Sequence, residues 1–469
     1  MNVEITKKDI LSGYMAQFFQ YGSGIVVLPI ILNRLSAEEV GMNYVMLSVG
    51  ALANIADFGF SGQIGRNVTY ILSGARKIFR EEIEKVENTS SIDYGLLKVI
   101  IDASKYLYRR LSVFLLLILL TVGTLYMYHA TEGFSNVANS FWIWILFSIG
   151  TYFNLYFLYY NSLLLGAGLV KEQKHSIILS RMVYIFICSL LIFYGFGLMS
   201  VVIANIISPF VARFYCYKKF YTGEIKEKLP TDNTERVVVL KALNDIWYTA
   251  KKSGTNTIGH YIGTQGSTFI AGIYLPLAVA AQWGLMIQLF GVIQGIAMNI
   301  GLSMYPEYCK LRLQNKKDEL IKKSSFAIVS MIIILVIGGI FVLLGGPIAL
   351  QLIKSKTAFP SFLLMGAYIL THVISANAQL FAILMTSRNV IPSPKAVIIT
   401  SILQILFTLG LLQLTEIGIW ALLLGPFVSG ICYTQWAWMK KELEDMKISI
   451  CDFYVTGFKE IAHMAKVNM

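Results

Sequence analysis

The chain has 469 residues, 56% of them hydrophobic and 14% charged, against about 25% charged in an average soluble chain. That excludes a soluble globular enzyme and a disordered chain. The net charge of +12, from 39 Lys and Arg against 27 Asp and Glu, would suggest nucleic acid in a soluble protein, but here it follows from loop topology and no nucleic-acid partner is expected.

Apolar blocks of about 20 residues, the length that crosses roughly 30 Å of hydrocarbon as a helix, recur from one end to the other. In chain order they predict twelve spans at 10–33, 41–64, 111–129, 140–165, 176–195, 199–217, 253–275, 282–305, 324–349, 359–386, 396–414 and 417–439. Lys7 and Lys8 precede the first run without a small-residue cleavage site after it, so the run reads as a retained span. The five cysteines, Cys188, Cys216, Cys309, Cys432 and Cys451, form neither a disulfide framework nor a zinc spacing. No cofactor or metal is expected.

Cationic loops remain in the cytoplasm. Segment 72–110 carries Arg76, Lys77, Arg80, Lys85, Lys98, Lys105, Arg109 and Arg110, and 306–323 carries Lys310, Arg312, Lys316, Lys317, Lys322 and Lys323. The turns at 130–139, 196–198, 276–281 and 415–416 have no Lys or Arg. The alternation places both termini in the cytoplasm of a multi-pass protein. Arg76 to Val86 and Tyr94 to Leu111 have helical spacing, the second with Leu97, Ile100, Ile101, Tyr108 and Leu111 as an apolar stripe. The other long polar stretch, 218–252, lies at the midpoint and reads as a cytoplasmic linker between an N-terminal lobe, 1–217, and a C-terminal lobe, 253–440. In the tail, 441–469, Ile450, Tyr454, Phe458 and Ile461 recur at helical intervals. This predicts an amphipathic helix, either on the inner leaflet or packed against the loops.

A shift of 243 residues aligns Leu32, Ala37 and Gly41 with Leu275, Ala280 and Gly284, and one residue out of that register Asp57-Phe58-Gly59 answers Asn299-Ile300-Gly301. The pattern predicts a six-plus-six parallel repeat, whose halves would enclose a cleft open to either side of the membrane in turn. No phosphate-binding glycine loop, HExxH motif or His/Cys/Asp ligand set accompanies it, so an enzyme is not expected.

Ionisable residues within spans cost about 2.5 kcal/mol or more at the midplane and default to functional candidates. Asp57 has Asn54 and Ser61 at i−3 and i+4, a polar face suited to gating or to bridging helices. Arg66 lies about 180° around an ideal helix from it, so pairing requires a bend that Gly59 and Gly62 permit. His260 and His372 are deep candidates for proton coupling or inter-helix bonding. Arg181, Arg213 and Lys252 lie nearer the cytoplasmic ends, where snorkelling also accounts for them. Together Arg66, Arg181, Arg213, Lys252 and the two histidines outweigh Asp57, predicting a positive interior suited to an anionic headgroup. Gln265, Asn299, Asn377 and Gln379 add hydrogen-bonding capacity. In span 4, Tyr152 and Tyr156 are about mid-span; their rings suit either sugar stacking or ordinary packing.

Leu35-Ser36-Ala37-Glu38-Glu39-Val40-Gly41, Ala56-Asp57-Phe58-Gly59, Arg66, Gly284 and Met304-Tyr305-Pro306-Glu307-Tyr308 resemble the polysaccharide-flippase branch of the multidrug/oligosaccharidyl-lipid/polysaccharide (MOP) exporter superfamily. The resemblance implies an all-α membrane protein of twelve transmembrane helices in two six-helix lobes forming a MATE-like V, acting as a Wzx-type O-antigen flippase. Such proteins carry an undecaprenyl-pyrophosphate-linked oligosaccharide to the periplasmic leaflet of a bacterial inner membrane. Membrane lipids, an O-antigen polymerase and glycosyltransferases are the implied partners, with Arg66 the implied cavity cation. A multidrug antiporter of the same superfamily would generally carry an acid in its first or seventh span; Leu11 to Asn33 and Ser253 to Leu275 contain none. A non-transporting scaffold for glycan assembly is the reading from a different class.

Overall fold

The computed structural model describes Gly24 and residues 26–78, 92–232, 234–388, 390 and 392–467, without the side chains of 223, 224, 249, 252, 253, 255, 256, 260 and 464–467. Every regular element among the described residues is helical. Eight of these helices are long and apolar enough to cross a membrane, and the bent pair Ala37–Asp57 and Phe60–Leu72 adds a ninth. Of the other three expected spans, 10–33 lies mostly outside the described residues and 253–275 is the polar second half of a helix running Arg236–Tyr274. The third, 417–439, is divided at Tyr433 into Trp420–Cys432 and Thr434–Met446.

The chain falls into two compact units that divide between Tyr261 and Ile262. In the first, a helix over 26–34 leads to Ala37–Gly50. Its start is fixed by a capping box: Ser36 Oγ accepts from Glu39 N at 3.1 Å, and Glu39 Oε2 accepts from Ser36 N at 2.8 Å. Leu52–Asp57 and Phe60–Leu72 continue the bent span, followed by Tyr94–Ile118, whose predicted stripe residues Leu97, Ile100, Ile101 and Tyr108 are buried. Arg76 and Lys77, expected to be helical, are bends, Ile78 is irregular, and the rest of that stretch to Val86 lies outside the described residues. Ser140–Tyr156 and Tyr159–Gly166 make one interrupted span. The Phe60–Leu72 helix comes close to Tyr159–Gly166 because Gly166 has no side chain: a Cβ there would lie 2.4 Å from Gly65 O. Thr69 Oγ1 donates to Gly166 O at 2.9 Å across the same contact.

Val170–Phe193 and Met199–Phe220 complete the spans of this unit. The midpoint segment is folded onto it from Arg236 onward. Val239 and Ala242 share a small core with Ala103 of the Tyr94–Ile118 helix, and Thr234 Oγ1 donates to Asp102 Oδ2 at 2.7 Å.

The second unit contains Leu277–Ser303, Tyr305–Leu313, Lys317–Leu352, Phe362–Thr386, Pro394–Leu414, the two helices divided at Tyr433, and a tail helix Ile450–Val467. Asn299-Ile300-Gly301, which answers Asp57-Phe58-Gly59 in the sequence, lies inside an unbroken helix, so the repeat does not extend to the bend. The tail helix packs on its own unit. Phe453 is fully buried against Phe381, Tyr454 Oη donates to Asn377 Oδ1 at 3.0 Å, and Ile450 and Phe458 of the predicted stripe remain exposed. A Cβ on Gly457 would lie 2.5 Å from Ser325 O, so this glycine sets the approach to Lys317–Leu352. Gly457→Leu is expected to lift the tail helix at a cost of about 1–3 kcal/mol, read as faster proteolysis between Lys447 and Ile450 than in the parent.

Candidate functional site

The bend in the second span is built from two successive left-handed residues, Phe58 at φ 47° and Gly59 at φ 79°, and turns the axis by 41°. Left-handed backbone suits Gly59 but is unusual for a bulky residue such as Phe58, and irregular backbone at membrane depth requires polar partners within the protein. Asp57 supplies one of them. Its buried carboxylate accepts from Ser61 Oγ at 2.8 Å, from Ser61 N at 3.3 Å, and from the hydroxyl of fully buried Tyr108. The acid therefore sits at the N-terminus of Phe60–Leu72, where it satisfies one helix-end amide and meets the positive end of the helix dipole.

Tyr108 lies beside Tyr159, ring centroids 6.2 Å apart, and Tyr159 stacks on Tyr160 at 4.3 Å and meets Tyr156 edge-on at 6.2 Å. Tyr152 stacks on Tyr156 at 6.2 Å with planes 10° apart, and Tyr156 adjoins Phe157 at 5.2 Å. The guanidinium carbon of Arg213 stands 4.4 Å from the Phe157 ring centre and 5.8 Å from that of Tyr160, within cation–π range. Asp57, Tyr108, the span-4 tyrosines and Arg213 thus form one connected polar and aromatic patch inside the first unit. Nearby, a cavity of about 200 Å³ is lined by Gly50, Ala51, Thr151, Asn154 and Asn205 among others, large enough for several water molecules or a hydroxylated group.

The other sequence candidates are dispersed. Arg66 is exposed on Phe60–Leu72, with no hydrogen-bond or ion-pair partner among the described residues; the bend does not bring it to Asp57. Arg181 is half-buried on Val170–Phe193, one turn from buried Tyr184. His372 belongs to the second unit, stacked on Tyr368 at 5.1 Å, with Phe290 edge-on at 6.0 Å and its Nε2 shielded and unpartnered. The side chains of Lys252 and His260 lie outside the described residues. Of the polar set, Asn377 binds the tail helix, Gln379 accepts from Gln294 at 3.1 Å, and Gln265 and Asn299 are half-buried.

Two features escaped the sequence reading. Tyr108 was counted within an apolar stripe, although a buried phenol in a span needs a partner. In the second unit Arg312 donates to Asp445 Oδ2 at 2.9 Å, to Glu442 Oε2 at 2.5 Å and to Ser387 Oγ at 2.7 Å. Arg388 adds contacts of 2.8 Å to Glu442 and 3.0 Å to Asp445. Burial pushes the Glu442 carboxyl above the ordinary carboxylate range, and the two arginines oppose the shift. At more exposed Asp445 desolvation acts upward, but the Arg312 hydrogen bond and the Arg388 charge outweigh it and hold the carboxyl below that range. Glu442 and Asp445 at i and i+3 share one helix face, which was the available signal. These carboxylates occupy both arginines, so the cluster ties three segments together and is not an open anion site.

The fold is similar to an inward-facing multidrug resistance MATE family transporter of the MOP superfamily, with a TM-score of 0.58, 16% identity, and coverage of 92% of this chain and 95% of that one. The chain has a MATE-like fold. A variant of the Vibrio cholerae MATE transporter VcmN gives a TM-score of 0.52 at 14% identity over 93% of this chain and 95% of its own. An outward-facing multidrug resistance MATE family transporter gives 0.50 at 15% identity over 94% and 95%. No protein-family model matches the sequence, and no curated protein matches it.

Tyr108→Phe removes a hydrogen bond to a buried carboxylate and is expected to lower stability by about 1.5–3 kcal/mol, seen as a lower melting temperature in detergent with the helical spectrum retained. Glu442→Gln leaves two arginines undercompensated and should cost about 3–5 kcal/mol; a melting temperature equal to that of the parent would show that the cluster contributes nothing.

Proposed function

We propose that this protein is a flippase that carries an undecaprenyl-pyrophosphate-linked oligosaccharide, an O-antigen or similar repeat unit, from the cytoplasmic to the periplasmic leaflet of a bacterial inner membrane by alternating access. The observation that carries this reading is the separation of charges on the second span. Asp57 is engaged by hydroxyls and a helix-end amide, while Arg66 stands exposed without a carboxylate partner among the described residues. An arginine left free in a transporter-like fold suits a diphosphate, whose oxygens match the planar guanidinium fork.

The polar and aromatic patch of the first unit fits the rest of such a ligand. The stacked faces of Tyr152 and Tyr156 offer surfaces for sugar rings, and Asn154 and Asn205 offer carboxamides to hydroxyl groups. Arg213 supplies a second positive charge held over aromatic rings. The polyprenyl tail stays in lipid. Asp57 gates the movement through the bend it caps, and His372, with its unpartnered nitrogen, is the proposed proton-coupling group in the second unit. A polymerase and glycosyltransferases of the same glycan are the proposed partners.

The multidrug alternative draws on two structures with a similar fold, both multidrug resistance MATE family transporters. The expected first and seventh spans contain no acid for a cationic drug or coupling ion, which favours the anionic lipid. Deleting the gene is expected to cause lipid-linked repeat units to accumulate with a loss of surface glycan. The parent gene should restore the glycan, while Arg66→Ala, expressed to the same level, should fall at least about tenfold short, the scale of one lost charge-assisted contact. Normal glycan assembly with Arg66→Ala would remove that residue from the site.

A further inference from the structure

The left-handed joint at Phe58–Gly59 is held from outside as well as by Asp57. The helix Arg236–Tyr274 lies along the bent span and touches it at three positions seven residues apart. Trp247 stacks on Phe58 at 5.3 Å and on Phe60 at 5.6 Å, with interplanar angles of 20° and 28°. At Gly254 a Cβ would fall 2.3 Å from the Phe58 ring, so only glycine admits that ring. Tyr261 Oη donates to Ser48 O at 2.9 Å, one segment earlier on the same span. Positions 247, 254 and 261 fall on one stripe of a helix, since a seven-residue repeat returns to nearly the same face.

These contacts act on the strained residue itself. Phe58 adopts a backbone conformation that bulky side chains avoid and that persists only where its surroundings over-determine it; here its ring is clamped between Trp247 and the bare backbone at Gly254. The corresponding sequence of the second unit, Asn299-Ile300-Gly301, lies in unbroken helix. Trp247 is 44% exposed, so its outer face is open and the clamp is free to lift without unpacking a core. Phe60, by contrast, is 5% exposed beneath it.

We propose that Arg236–Tyr274 is a strap whose seating on Phe58 and Phe60 keeps the second span bent, and whose release lets that span straighten. The strap begins in the first unit and runs unbroken to Tyr274, in the second. The assignment goes beyond the transport reading and does not depend on the identity of the substrate.

The test is amide hydrogen exchange, read by mass spectrometry on the full-length protein in lipid nanodiscs. In Trp247→Ala, peptides covering 52–64 should exchange roughly tenfold faster than in the parent, the scale of one to two aromatic pairs. Trp247→Phe, which keeps a stacking ring, should stay near the parent, and the Ser140–Tyr156 helix should be unchanged in both. In a second arm, the pair Phe58→Cys and Gly254→Cys is oxidised to fix the strap on the joint; exchange over 52–64 should be slower in the oxidised than in the reduced protein. Parent-like exchange in Trp247→Ala, acceleration that extends equally to Ser140–Tyr156, or identical exchange in the oxidised and reduced pair would each overturn the assignment.

Discussion

A helix that breaks inside hydrocarbon must find new partners for the backbone groups it releases, because no water is there to receive them. In the second span one carboxylate meets part of that requirement. Asp57 receives Ser61 through both side chain and backbone and receives the Tyr108 hydroxyl from a neighbouring span, so the bend and the packing of Tyr94–Ile118 are fixed by the same group. The direction of Phe60–Leu72 follows from it, and with that direction come the close contact at Gly65 and Gly166 and the position of Arg66. An apolar residue at 57 would leave the Tyr108 phenol and a helix-end amide without partners.

The same economy of charge distinguishes the two clusters of the molecule. In the second unit, Arg312 and Arg388 are each held by two carboxylates, one of them fully buried; such a set contributes to stability and offers little to a ligand. In the first unit the acid is occupied by neutral donors, Arg213 rests on aromatic faces and Arg66 is uncommitted. Under the proposed function these two arginines are the cations an anionic ligand would meet, and the stacked tyrosines would offer flat, partly apolar faces to sugar rings.

Much of the fold was legible because hydrocarbon imposes a coarse rule: long apolar runs are helices, and the run from Ser140 to Gly166 or from Lys317 to Leu352 can be little else. The irregular points were harder to read. Gly59 marked a possible bend, but Phe58 carried no sign that it would adopt left-handed backbone, since that conformation is imposed by Trp247 and Gly254 nearly 200 residues away in sequence. Tyr108 was hidden in an apolar stripe because periodicity counts the ring and ignores the hydroxyl. Glu442 and Asp445 fall in the tail segment 441–469 outside its apolar stripe, and only the packing of Thr434–Met446 against the Arg312 segment reveals them as ion-pair partners. Of the site, the sequence supplied candidate residues; which cations remain unpaired depends on distances no spacing encodes.

The proposed cargo is an anionic, lipid-linked glycan. That proposal is tested most directly in proteoliposomes containing only the purified protein and a synthetic polyprenyl-pyrophosphate oligosaccharide, with the fraction of glycan exposed on the outer leaflet followed by an impermeant glycosidase. The glycan is expected to become accessible from the second leaflet only when the protein is present, and a polyprenyl lipid lacking the pyrophosphate is expected not to be moved. No translocation of the lipid-linked glycan by vesicles that do export a cationic dye would contradict it.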